Sequence, residues 1–174
     1  FELQLNFWPY YFHPDEVEKG REVMTDWIRR VYETVKKSGA DRELAITIPA
    51  SIDDCLAQGM DPVDWIDQGI VDVLNAGPFS YAKDQDPNGT YIDSELDLLE
   101  ELRTLVEAAK GSDTRIHAAL ASAVDTDRMG DAPIEMVRAT ACNYWAHGVD
   151  GLYLTQWFGQ WPYQAPFYEK LREL

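Results

Sequence analysis

Hydrophobic and polar residues alternate along Phe1–Trp8: Phe1, Leu3, Leu5 and Phe7 point one way, Glu2, Gln4, Asn6 and Trp8 the other. A period of two marks a β-strand. The period then lengthens. Between Val17 and Lys37, apolar residues recur at Val23, Trp27, Ile28, Val31 and Val35, the spacing of an amphipathic helix that Ser38-Gly39 would end. Leu44–Pro49 reads as a second strand. Ser51 opens a short helix around Cys55, and Asp61-Pro62 opens another, because proline suits the first helical turn. Ile70–Asn75 is a third strand, followed by a long polar loop. A helix from about Ser94 to Ala109 carries Leu96, Leu99, Leu102, Leu105 and Val106. Arg115–Ala121 is a fourth strand, Pro133–His147 a helix with Gly148 as its C-cap, and Leu152–Trp157 a fifth strand before a closing helix near Pro166–Leu174.

Strands that alternate with helices predict an α/β fold with a parallel sheet and right-handed crossovers. Two arrangements share that pattern, a doubly wound sheet and a (β/α)8 barrel. The doubly wound sheet usually has a glycine-rich first turn, which this chain lacks, although a short 3-2-1-4-5 sheet also fits the pattern. The 174 residues make one domain, 1–174.

Composition narrows the function. Hydrophobic residues are 45% of the chain and aromatic ones 12%, enough for a packed core. The 31 acidic residues outnumber 15 basic ones, giving a net charge of −16. Such a surface repels nucleic acid and anionic membranes, and no apolar run reaches the ~20 residues of a membrane helix. The expected partner set therefore excludes both. Cys55 and Cys142, far apart in apolar helical contexts, read as buried free thiols, and no paired Cys/His spacing suggests zinc. The chain opens on Phe1 inside a strand, so an upstream segment with any targeting signal is expected; localisation stays undetermined.

Several segments carry a resemblance. FELQLNFWPYYF (Phe1–Phe12) is similar to an E-L-D-F strand followed by W-P-Y-Y-F, and Asp54–Ile66 is similar to D-C-x-x-x-G-M-D-P-x-x-W-I. The stretch IEMVRATACNYWAHGVDGLYLTQWF matches a helix rich in small residues, a "DG" pair and a last barrel strand. Together they resemble bacterial TIM-barrel proteins of the family-10-like, uncharacterised glycoside hydrolase type. The resemblance implies that Phe1 begins near strand four and that the chain is the C-terminal five-eighths of a (β/α)8 barrel. It implies a glycoside hydrolase-like protein acting on a poly- or oligosaccharide. The chain departs from the pattern where Gln4 replaces an acidic residue and Phe7 a basic one, and its fourth strand ends Ala119-Leu120-Ala121-Ser122 without a carboxylate. Two carboxylates usually flank a scissile glycosidic bond. A non-catalytic carbohydrate-binding or assembly protein on the same scaffold is therefore the alternative.

In barrels the chemistry sits at the C-terminal ends of the strands. The candidate catalytic residues are Glu2, Gln4 and Asn6 on one face of the first strand, and Asp125 after the fourth. A polar face inside a parallel sheet is either a hydrogen-bonded core network or a site. Trp8, Tyr10, Tyr11, Asn75, Tyr81, Gln156, Trp157 and Trp161 are candidate substrate-binding residues, since aromatic faces stack on sugar rings and amides bind hydroxyls. His117, on the face of Ala119 and Ala121, reads as an interior histidine.

The segment Asp84–Glu95 fits the calcium-loop spacing D-x-[DN]-x-[DN]-G-x5-E, with Asp84, Asp86, Asn88, Thr90 and Glu95 as ligands and Gly89 at the turn. Pro87 is atypical there and no helix precedes it. Two readings stay open, a Ca2+ site and a solvated acidic loop leading into a helix. No cofactor is required by either function. The open edges of a five-stranded sheet predict a homo-oligomer or a missing N-terminal segment.

Overall fold

A computed structural model describes residues 1–5, 11–77, 79–80, 91–92, 99–121 and 134–155. Five parallel strands form one sheet: β1 (Glu2–Gln4), β2 (Ala45–Pro49), β3 (Val73–Gly77), β6 (Arg115–Ala121) and β7 (Gly151–Thr155). A two-residue antiparallel ribbon, β4 (Phe79–Ser80) with β5 (Tyr91–Ile92), stands inside what the sequence reads as polar loop. The helices are α1 (Val17–Ser38), α2 (Ile52–Ala57), α3 (Pro62–Asp67), α4 (Leu99–Ala109) and α5 (Ile134–Ala146). The expected closing helix near Pro166–Leu174 lies outside the described residues.

The sheet order β1-β2-β3-β6-β7 follows the chain, so every crossover steps the same way. A doubly wound sheet must reverse direction once, and the 3-2-1-4-5 alternative is thereby excluded. Stagger separates a barrel from a flat sheet. Glu2 is in register with Ala45, Ala45 with Val73, and Val73 with Arg115. The pairing of His117 with Gly151 carries that line to Val149 on the last strand. The residue Glu2 touches, however, is Tyr153, whose phenol donates to Glu2 Oε1 at 2.6 Å. Four steps between strands have moved the contact four residues along the chain. One residue of stagger per strand is the shear of an eight-stranded barrel. In a flat sheet the first and fifth strands would lie about 19 Å apart, beyond the reach of a Glu–Tyr pair. The sheet is curled, and its outer strands face each other across the axis.

The two faces differ in chemistry. Toward the helices the strands present Ile46, Ile48, Leu74, Ile116 and Leu120, all fully buried with Leu102 and Leu105 of α4 and Val137 of α5. That layer holds the aliphatic core. Trp65 of α3 is also fully buried and ties α3 to α1 by donating to Thr25 Oγ1 at 3.0 Å. Toward the barrel axis the same strands present Glu2, Gln4, Thr47, Asn75, His117 and Tyr153, which the alternation of strand side chains dictates.

At the N-terminal ends of the strands one device recurs. Gly69 and Gly148 end helical segments at φ 62° and 85°, a left-handed conformation that favours glycine. A few residues later Asp72 accepts the Leu44 N–H at 2.7 Å, and Asp150 accepts that of Ile116 at 2.9 Å. Each carboxylate clips its strand to the preceding one. Because Asp72 is spent on that cap, β3 starts at Val73 and not at Ile70 as the apolar run suggests.

Cys55 is buried and Cys142 exposed, and both thiols are free. The expectation for Cys142 is thus corrected. The buried stripe of α5 is Ile134, Val137, Ala141 and Tyr144, and position 142 turns away from it. In α1 the buried residues are Gly20, Met24, Thr25 and Ile28, whereas Val23 and Trp27 are 53% and 43% exposed.

Candidate functional site

Curling brings the polar inner face into one hydrogen-bonded layer. Glu2 begins β1, and three donors converge on its Oε1: Tyr153 Oη at 2.6 Å, Thr47 Oγ1 at 3.0 Å and Gln4 Nε2 at 3.2 Å. Gln4 Nε2 also donates to the Tyr153 oxygen at 3.2 Å, and Asn75 Nδ2 to Thr47 Oγ1 at 3.2 Å. Thr47 and Asn75 are buried, while Glu2 and Gln4 are exposed. Among the described residues no group donates to Glu2 Oε2. Among these residues the carboxylate is held by Oε1 alone, and Oε2 has no donor.

Electrostatics follow from these contacts. Burial favours the neutral carboxylic acid, but the hydrogen bonds from Tyr153, Gln4 and Thr47 outweigh it, so Glu2 titrates below the ordinary value of 4.5. The Tyr153 phenol is raised, first by burial and then by its bond to the Glu2 carboxylate. At neutral pH the layer holds one carboxylate and one protonated phenol. His117 lies on the same face and is lowered by burial and by Arg115, hence neutral. Its ring occupies the space over Gly151: a Cβ there would stand 2.7 Å from the imidazole. Arg115 turns its charge to Glu43, at 2.8 Å.

Of the residues singled out in the sequence, Glu2, Gln4 and Asn75 fall into this layer. Tyr11 is half-buried and packs against the core. Asn6, Trp8, Tyr10, Tyr81, Asp125, Gln156, Trp157 and Trp161 lie outside the described residues, as do the calcium-loop candidates Asp84, Asp86, Asn88, Thr90 and Glu95. Among the described residues no group of three His, Cys, Asp or Glu side chains could hold a metal, and no helix is long and apolar enough to cross a membrane. Thr47 and Tyr153 belong to the layer and sequence reading misses both. Strand alternation puts Tyr153 on the face of Gly151, but that Gly151 pairs with His117 and Tyr153 with Ala119 is known only once the strands have paired.

Sequential order, parallel pairing and barrel shear define the class: an α/β fold, part of a (β/α)8 barrel. No protein-family model matches the chain, and no curated protein matches it in sequence. Solved structures do resemble it. A protein named as an α-L-fucosidase from Bacteroides thetaiotaomicron aligns with a TM-score of 0.55 and 12% identity, over 86% of this chain and 50% of the other. Bee venom hyaluronidase aligns at 0.51 and 11% identity, over 94% and 57%. A protein named as a phosphonomutase from Burkholderia cenocepacia aligns at 0.50 and 16% identity, over 77% and 51%. The chain spans about half the length of these structures. At such identities the likeness concerns the fold, and barrels host many chemistries.

Proposed function

We propose that this protein is a glycoside hydrolase-like, carbohydrate-active barrel protein that acts on a poly- or oligosaccharide. One observation carries the reading: an ionised carboxylate, Glu2, stands in a polar barrel interior with Oε1 anchored by three donors and, among the described residues, no donor on Oε2. An ionised carboxylate is what the nucleophile or base of sugar hydrolysis must be, and amides such as Gln4 and Asn75 suit hydroxyl recognition. The motif resemblance and the two glycosidase-named structures of similar fold support the same class. A second reading, a non-catalytic saccharide-binding barrel, is favoured by one fact. Within the described strands Glu2 is the sole inward-facing carboxylate, Glu43 just before β2 being paired with Arg115, and the usual mechanism needs two.

A panel of aryl glycosides and oligosaccharides, assayed for hydrolysis and by calorimetry, separates the two. The expected result is turnover of at least one substrate, falling by roughly 100-fold or more in Glu2→Gln while binding persists. Binding without turnover in the wild type transfers the conclusion to the second reading. Neither binding nor turnover across the panel discards both.

A further inference from the structure

From the contact that spans the barrel, we infer that Tyr153 is a positioning residue, whose phenol locks Glu2 Oε1 and thereby presents Oε2 as the oxygen that meets a saccharide. The inference rests on the carbohydrate reading above for its ligand, though not for its geometry. Glu2 and Tyr153 sit on the first and last strands of the sheet, 151 residues apart, and meet at 2.6 Å. The shortest of the three bonds to Oε1 is the one that crosses the axis; those from Gln4 and Thr47 come from the same strand and its neighbour. Two lateral donors leave a carboxyl free to swing about its chain. A third donor from the opposite wall fixes its direction, because the tyrosine is rigid and its ring is held by its own strand. Gln4 Nε2 closes the triangle by donating to the Tyr153 oxygen, so the phenol proton is directed to Glu2 and not elsewhere.

Charge around the pair is sparse. On β2 and β3 the facing groups, Thr47 and Asn75, are neutral. On β6 they are His117, kept neutral, and Arg115, paired with Glu43. On β1 itself the amino group of Phe1 is the one further charge acting on Glu2. Burial is the largest single influence on the carboxylate, and the hydrogen bonds, with that of Tyr153 foremost, together outweigh it.

The test is a Tyr153→Phe variant, followed by carbon-13 titration of the Glu2 carboxyl and by calorimetry with the best saccharide of the panel. The Glu2 titration is expected to move up toward the ordinary carboxylate value, and saccharide affinity at neutral pH to fall roughly tenfold. A reverse measurement covers the case in which Tyr153→Phe does not fold: in Glu2→Gln the ultraviolet titration of Tyr153 should move down, because its anionic partner is gone. An unmoved Glu2 titration in Tyr153→Phe, or an unmoved phenol in Glu2→Gln, overturns the inference. If the titrations move but no saccharide binds the wild type, the carbohydrate reading fails and the positioning of Glu2 by Tyr153 stands. If saccharide binds equally well with and without the phenol, positioning for ligand is refuted while the carbohydrate reading survives.

Discussion

His117 and Glu2 are both lowered from their ordinary values, and both make the fold sensitive to acid. His117 is lowered first by burial and then by Arg115, with Asp150 and Glu43 pulling partly back. The unfolded chain takes up the histidine proton more readily than the folded one, so stability falls as pH drops below about 6.5 toward the lower folded value. Glu2 is lowered by its hydrogen bonds against the pull of burial. Its contribution is present above the ordinary value of 4.5 and is lost as pH falls through the folded one. Two separate windows of acid loss are therefore expected in urea unfolding followed from pH 7 to 3. His117→Gln should flatten the upper window and leave the lower; a slope between pH 7 and 5 that survives this change would show that His117 does not set it.

At the scale of elements, Phe12 sits in a notch between two helices. Phe12 lies between Gly20 of α1 and Gly59 after α2: a Cβ on Gly20 would be 2.4 Å from the Phe12 ring, and one on Gly59 2.5 Å. No side chain fits at either place while Phe12 is there. In an ordinary helix, Gly→Ala stabilises by about 0.5–1 kcal/mol. Gly20→Ala should instead cost about 1–3 kcal/mol by overpacking, and Phe12→Ala should remove most of that penalty. A double-mutant cycle in urea measures it; a stabilised Gly20→Ala single variant would contradict the notch. The same glycine explains why the buried face of α1 is hard to read in the sequence. Its stripe runs Gly20, Met24, Ile28, starting on a residue without a side chain. Bulk-weighted periodicity is drawn to Val23 and Trp27, one position away, which the fold leaves exposed.

For the whole molecule, exposed apolar residues mark the two sides of the sheet. Phe1 and Trp27, with Val31 and Val35, line a groove of about 640 Å3 between the start of β1 and α1, rimmed by Arg30 and Arg42. Trp145 of α5 and Leu154 of β7 are exposed on the last unit. Among the described residues β1 pairs with β2 alone and β7 with β6 alone. Unpaired strand edges flanked by apolar side chains recruit other chains. A 174-residue chain is expected to self-associate in light scattering, and Trp27→Glu to reduce that association. A monodisperse monomer across a wide concentration range would count against both open edges.

The order of elements was legible because helix and strand periods are local: hydrophobic residues three or four apart, or two apart, report the element they sit in. The polar face of the first strand was legible for the same reason, with Glu2 and Gln4 alternating against Leu3 and Leu5. Strand order, and with it the choice between a doubly wound sheet and a barrel, was decided by tertiary structure. So was the bond from Tyr153 to Glu2. It depends on the stagger accumulated over four strand pairings and on the curl that brings opposite walls together. Neither quantity is a property of any short stretch of chain, so Thr47 and Tyr153 join the layer only once the sheet has curled about its axis.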